Sequence, residues 1–216
     1  MSILTNKFKK EKDTYHHGNL AESLLNAVDE IATKFGLEAV TLRACAKLIG
    51  VSPSSAFRHY ADKRTLLTAF ATRALTQLSE AMELAKKSAE QDNQNLFSAV
   101  GVAYIRFALE KPAFFRAMWR EEAIYTADES YVAASGQLAA HLQGGFANSL
   151  QDTNPHEFSP QELLAWSAVH GLANLFVDGP VGLNKNLTEK VNLAKQMIAA
   201  LNPALTHSNN DPNLEP

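Results

Sequence analysis

Apolar residues recur every third or fourth position along most of the chain and never alternate with period two, so the pattern predicts helices and no sheet. In the first stretch Leu20, Leu24, Leu25, Val28, Ile31, Ala32 and Phe35 form one stripe. Asn19, with Glu22 three positions on, opens it, and Gly36 closes it. A second helix is expected from the N-cap Thr41 to Gly50, burying Leu42, Cys45, Ala46 and Ile49. Ser52 caps a third that places Pro53 at its first position, where a missing N–H costs nothing, and ends near Tyr60. A long fourth helix, from about Lys63 to Lys87, carries Leu66, Leu67, Phe70, Ala74, Leu75, Leu78, Ala81 and Met82. After the polar break at 90–95 a fifth aligns Leu96, Val100, Ala103 and Phe107, and Pro112 opens a sixth. Asp128 to about Leu150 reads as a seventh, aligned on Leu138, Leu142 and Phe146. Ser159, Pro160 and Glu162 open an eighth with an N-cap, a first-position proline and a capping-box glutamate. A ninth runs from Thr188 to about Leu201, and the polar, proline-containing stretch 203–216 is expected to be a disordered tail.

Composition narrows the class. With 216 residues, 46% hydrophobic and 20% charged, the chain has the make-up of a globular protein. Its opening residues reach lysines after only two consecutive apolar positions and lack the apolar core of a secretory signal. The most apolar run, 163–177, is interrupted by Ser167, His170 and Asn174 and falls short of the roughly 20 residues of a membrane span. No membrane partner is expected. A single cysteine, Cys45, allows no internal disulfide and suits a reducing compartment, so the cytoplasm is the expected location. The net charge of -3 is unevenly placed: residues 1–75 carry eleven Lys and Arg against seven Asp and Glu, the remainder nine against sixteen. A basic front third and an acidic remainder suit a chain of which one part meets a polyanion, although chance clustering of solvated charges gives the same counts.

Helix 41–49, the turn Gly50-Val51-Ser52 and helix 53–60 have the spacing of a helix-turn-helix, whose second helix lies in the major groove of DNA. Ser54, Ser55 and Arg58 share one face of that helix. Arg58 is suited to a bidentate contact with a guanine edge and Pro53 to a thymine methyl. Thr41 and Arg43, and Lys63 and Arg64, sit at helix starts that favour phosphate. Lys7, Lys9, Lys10 and Lys12 form a basic arm for sequence-independent contacts. Any one of these lysines taken alone reads first as a solvated side chain and His59 as a surface or cap histidine, while Ala56 and Tyr60 read as packing.

The stretch TLRACAKLIGVSPSSAFRHYADKRTLL, residues 41–67, resembles the DNA-binding motif of the TetR family of bacterial transcription regulators, with Thr41, Arg43, Ala46, Gly50, Val51, Ser52, His59 and Lys63 matching. Two positions depart from it. Phe57 replaces a tyrosine whose hydroxyl usually meets a phosphate, and Ala56 is smaller than the usual leucine. TYHHGNL at 14–20 and WSAVHG at 166–171 are similar to the opening and to the Trp-His-Gly signature of one TetR subfamily. Taken with the residues above, the resemblance implies a DNA interface of Thr41, Arg43, Ser52, Pro53, Ser54, Ser55, Phe57, Arg58, His59 and Lys63 on a palindromic double-stranded operator.

In the C-terminal half, Phe97, Tyr104, Phe107, Phe114, Phe115, Met118, Trp119 and Tyr125 precede Trp166 and His170, which stand one turn apart. By periodicity alone these read as an aromatic core. The resemblance implies instead a small-molecule cavity, with Phe107, Phe115, Met118, Trp119, Tyr125, Trp166 and His170 as candidate lining, and a homodimer interface on the last two helices. His170 stays open between a hydrogen-bonding group at the cavity and a satisfied core histidine, and Gly171 is read as permitting close helix contact. Glu110, Glu121 and Glu122 leave room for a cationic ligand unless they are outer-face charges. No H-E-x-x-H, G-x-S-x-G, G-x-G-x-x-G or P-loop motif occurs, so neither catalysis, a metal nor a cofactor is expected.

The expected architecture is all-α, with about nine helices. A flexible basic arm (1–15) leads into an N-terminal three-helix helix-turn-helix domain (16–62), and a connecting helix (63–87) joins this to a ligand-binding and dimerisation domain (88–202) before the tail. The expected function is a transcription regulator, a repressor released from its operator by an effector. Alternatives are a DNA-binding regulator or architectural protein without a small-molecule ligand, and an enzyme or protein-binding module whose helix-turn-helix is incidental.

Overall fold

The computed structural model of the chain describes residues 19–144 and 158–206. The expected basic arm, the start of TYHHGNL, the end of the seventh helix with Phe146, and residues 207–216 lie outside the described residues. Within them the chain is all-helical: α1 Leu20–Phe35, α2 Leu42–Leu48, α3 Pro53–His59, α4 Lys63–Gln91, α5 Leu96–Glu110, α6 Pro112–Met118, α7 Glu129–Gly144, α8 Pro160–Val177 and α9 Leu187–Thr206.

The helix starts follow the side-chain chemistry that predicted them. The Asn19 side chain accepts the Glu22 N–H at 3.1 Å, Thr41 accepts that of Ala44 at 3.0 Å, and Ser52 accepts that of Ser55 at 3.2 Å. Ser159 and Glu162 form the reciprocal capping box, both buried. Gly36 and Gly50, at φ 81° and 76°, supply the left-handed backbone that ends α1 and turns the chain between α2 and α3.

Several helices differ from their expected limits or faces: Phe35, placed in the stripe of α1, is 72% exposed, and Ile49 at the end of α2 is only half-buried. α4 runs one turn past Lys87 to Gln91, because the Glu and Gln at its end are helix formers and the stop is the Asp92-Asn93 pair. α9 reaches Thr206, so 203–206 are helical and not part of a tail. α5 buries Phe97, Val100, Gly101, Tyr104, Ile105, Phe107 and Ala108, while Leu96 and Ala103 are only half-buried. A single stripe does not describe a helix packed by α4 and α6 on one side and by α8 and α9 on the other. At Gly101 an added Cβ would stand 3.0 Å from Ile198 and 3.3 Å from Val169, so this glycine sets how closely α5 approaches α8 and α9. At Gly171, by contrast, an added Cβ would meet nothing within 4 Å among the described residues, so the close helix contact expected there is not made inside them.

At 29 residues, α4 spans about 43 Å at 1.5 Å per residue. Its first turns pack on α1 and its remainder on α5, α6 and α7, and one continuous apolar core runs from Leu24 of α1 to Ile198 of α9. The helix-turn-helix is therefore fixed to the rest of the molecule through shared side chains as well as through the chain.

Candidate DNA-binding and effector sites

Ala56 faces inward from α3 with no exposure, and Tyr60 closes the helix against α1, its hydroxyl donating to the Ala21 carbonyl at 3.4 Å. With that side fixed, Pro53, Ser54, Phe57, Arg58 and His59 are all turned to solvent, together with Thr41 and Arg43 of α2 and the cap Ser52. Ser52 Oγ lies 2.9 Å from Ser54 Oγ and 2.8 Å from Ser55 Oγ, and Arg58 Nη2 donates to Ser55 Oγ at 3.2 Å. The hydroxyl cluster thus holds the guanidinium against α3, with its remaining N–H groups free to read a base edge or a phosphate. Phe57 is 45% exposed, a large apolar ring with no intramolecular cover on its outer face. Cys45 is wholly buried beneath this surface, and burial pushes its thiol up to about 11.

At the start of α4 the lysine and arginine expected to meet phosphate are both engaged within the chain. Asp62 caps the helix, accepting the Thr65 N–H at 2.7 Å and the Thr65 hydroxyl at 2.9 Å. The Thr65 N–H holds the Asp62 carboxyl below its ordinary value, so a carboxylate already occupies the place an anion would take. Lys63 is half-buried and donates to the carbonyls of Leu37 and Glu38 at 3.2 and 3.1 Å, tying α4 to the turn between α1 and α2. Arg64 turns away from α3: its Nε donates to the Ile124 carbonyl at 2.8 Å and its guanidinium lies 4.5 Å over the Tyr125 ring.

Tyr125 is accordingly displaced from its expected place in the ligand lining. It stands 42% exposed between the two halves, with its hydroxyl donating to Asp62 at 3.0 Å and its backbone N–H to Thr68 Oγ1 at 2.8 Å. Arg120, five residues earlier, forms an ion pair with Glu38 at 2.7 Å. The segment 119–125 is thus clamped to the helix-turn-helix at Glu38, Asp62 and Arg64. Sequence periodicity carries no signal for such contacts, which join residues about 60 to 80 positions apart.

The other aromatic candidates divide into two groups. Phe107 stacks on Phe114, centroids 6.4 Å apart, and Phe114 in turn meets Phe70 of α4, so Phe107 belongs to structural packing and not to a ligand wall. Trp119, Trp166 and His170 do come together with Phe115: the His170 ring lies 4.9 Å from Trp119, 5.5 Å from Phe115 and 6.1 Å from Trp166. Met118 is buried on the same helix as Phe115. At the centre the Tyr104 hydroxyl and His170 Nδ1 share a hydrogen bond of 2.8 Å. Tyr104 was absent from the expected lining, although its place on the buried face of α5, above Gly101, marks it. Burial lowers the His170 pKa below its ordinary 6.5 and raises that of Tyr104, so the pair is neutral.

Around this pair the buried Nε1 atoms of Trp119 and Trp166 approach the Tyr104 hydroxyl, outside good hydrogen-bond geometry but near enough to oppose part of the rise in its pKa. Tyr104 and Trp166 line a small apolar cavity of about 30 Å³ with Met82, Phe97, Leu142 and Val169. Phe115 and Trp119 line a groove of about 320 Å³ whose mouth carries Arg116 and Arg120. Glu110, Glu121 and Glu122 are all exposed, which removes the cationic-ligand reading that rested on them. Among the described residues no group of His, Cys, Asp and Glu could hold a metal, and no helix is long and apolar enough to cross a membrane.

Residues 97–201 match the family model described as the Tetracyclin repressor-like C-terminal domain. An uncharacterized HTH-type transcriptional regulator, YobS of Bacillus subtilis strain 168, is 29% identical over 100 residues, which are 46% of this chain and 51% of that protein. The alignment thus spans about half of the curated relative's length. Among solved structures, a protein of unknown function from Rhodococcus sp. RHA1 superposes with a TM-score of 0.69 at 26% identity, covering 87% of this chain and 97% of that one. The TetR family transcriptional regulator PfmR from Thermus thermophilus superposes with a TM-score of 0.60 at 16% identity, covering 83% of this chain and 93% of its own, a likeness of fold. With the family's motif at 41–67 exposed as a helix-turn-helix and its C-terminal domain matched, the chain belongs to the TetR family of transcriptional regulators.

Proposed function

We propose that the protein is a homodimeric, ligand-released repressor that binds a palindromic operator through α2 and α3. The observation that carries this reading is the clamp between Arg64 and the segment Ile124-Tyr125, because it joins the helix that leaves the DNA-binding surface to the segment that follows Trp119 of the aromatic centre. A molecule that moves Trp119 would pull on α4, and a ligand alters operator affinity only as far as it binds one arrangement better than the other.

Dimerisation supplies the two half-site readers, about 34–36 Å apart or a multiple of it. Leu164, Ser167, Ala168, Gly171 and Leu175 form one face of α8; Leu164 and Leu175 are 48% and 45% exposed, and Gly171 has no neighbour on that side. A small, apolar face of this kind suits a second copy of the helix.

The proposal is tested by titrating DNA from upstream of the protein's own gene against an unrelated fragment at about 0.15 M salt, with and without candidate ligands. A preference of about a thousandfold or more supports operator binding. The small volume of the inner cavity favours a second reading, a DNA-binding regulator without an effector; that reading requires every compound that binds the protein to leave operator affinity unchanged.

A further inference from the structure

Three rows of side chains run along the outside of α3. Ala56 is buried in the core, so the opposite direction faces solvent, and at about 100° per residue Ser54 and Arg58 straddle it. Ser55 and His59 form one flank of that central row, and Pro53 and Phe57 the other. Ser55 is half-buried and holds Arg58 at 3.2 Å, so the polar flank orients the guanidinium. On the opposite flank two exposed apolar side chains stand one turn apart, and neither bears a charge or a hydrogen-bonding side-chain atom.

In a helix-turn-helix the second helix lies in the major groove, so its flanks come against DNA as well as its central row. A phenyl ring gives a phosphate no hydrogen bond and takes water from it, which disfavours a backbone contact for Phe57. Base edges in the major groove carry hydrogen-bond donors and acceptors, and their one large apolar group is the C5-methyl of thymine. The apolar row is short. Residues four apart on a helix have Cβ atoms roughly 5–6 Å from each other, less than two base-pair steps of about 3.4 Å, and Arg58 is the residue next to Phe57. A thymine on this flank therefore falls close to the base that Arg58 faces.

We propose that Phe57 is a specificity-determining residue whose ring packs on the C5-methyl of a thymine in each operator half-site, within about two base pairs of the position that Arg58 faces. The departure from the family's usual tyrosine exchanges a hydroxyl that meets phosphate in any sequence for an apolar contact that depends on one base. The inference deepens the operator-binding reading and rests on it.

The whole chain is first used to select binding sites from a randomised duplex pool. The recovered duplex is then remade with deoxyuridine, which lacks the C5-methyl, at each thymine in turn. Wild-type protein is expected to lose about fourfold in affinity per half-site at one thymine position, the worth of one buried methyl-sized group. Phe57→Leu, which keeps an apolar side chain, should retain part of this preference. Phe57→Ala should bind the thymine and deoxyuridine duplexes alike, with an unchanged salt slope. Because Phe57 is exposed, the alanine variant is expected to fold as the wild type does, which circular dichroism checks. Equal binding of thymine and deoxyuridine by the wild-type chain at every position, or the same ratio in Phe57→Ala, would overturn the assignment. So would a Phe57→Ala variant that weakens all sequences alike and makes the salt slope shallower, which is the mark of a backbone contact. Failure to enrich any sequence removes the operator-binding reading together with this one, whereas an enriched site without a methyl effect removes the role of Phe57 alone.

Discussion

The Arg64 guanidinium lies 4.5 Å over the ring of Tyr125, so the second residue of α4 is held by a segment that follows it by sixty positions. The same arginine reaches the Ile124 carbonyl with Nε, and Asp62 takes the Tyr125 hydroxyl, which raises the tyrosine's pKa. Arg64→Ala therefore removes a charge-assisted hydrogen bond and a cation–π contact at once. The expected result is a Tm lower by about 2–4 °C, corresponding to about 1 kcal/mol. Because Arg64 is directed away from α3, the salt dependence of operator binding should keep its slope. A slope shallower by about one unit would place Arg64 on a phosphate instead.

Arg58 is expected to behave in the opposite way. Its guanidinium is exposed on α3 and oriented by Ser55. Arg58→Ala should leave Tm within about 1 °C and relax preference at one base pair by about 1–3 kcal/mol. Selection of sites from a randomised pool reads this directly, and unchanged preference would remove Arg58 from the base-reading set.

His170 gives stability a pH dependence of known sign. Burial lowers its pKa in the folded chain below the ordinary 6.5, so as pH falls below that value the unfolded chain takes up a proton that the folded chain refuses. Stability should decline from about pH 6.5 downward through the depressed value. Urea midpoints at pH 7.5, 6.5 and 5.5 measure the slope, and His170→Gln should flatten it. An identical slope in that variant would assign the dependence to other groups.

The Cys45 thiol, wholly buried with its pKa near 11, is expected to resist alkylation in the native protein. Iodoacetamide at pH 8 should modify it only in denaturant. Rapid labelling of the folded chain would show that the helix-turn-helix opens locally.

A Cβ added at Gly171 meets nothing within 4 Å among the described residues, which makes the position a clean probe of association. Gly171→Gln should retain the helical fold and elute as a monomer in size-exclusion chromatography with light scattering. A variant that remains dimeric would move the interface away from this face of α8.

Local chemistry made most of the helices legible. The caps Asn19, Thr41, Ser52 and Ser159 act within three residues of themselves, and Pro53, Pro112 and Pro160 each fix a first turn, so these starts follow from neighbours in the chain. Solvent exposure along α3 was equally legible, since a seven-residue helix that buries one alanine leaves most of its other side chains outside, Ser55 alone being half-buried. Burial on α5 was not, because four neighbouring helices choose which of its residues face inward.

By itself the sequence determined the helical class, the helix-turn-helix and the polar character of its outer face, all of which depend on interactions over one or two turns. Only the tertiary structure decided that Arg64, Arg120 and Tyr125 bind the two halves together, that Phe107 is packing, and that Tyr104 completes a centre with His170 and two indoles. Residues 104 and 170, or 64 and 125, meet because helices cross, and a crossing is fixed by the shapes of both partners, which no periodicity within either one contains.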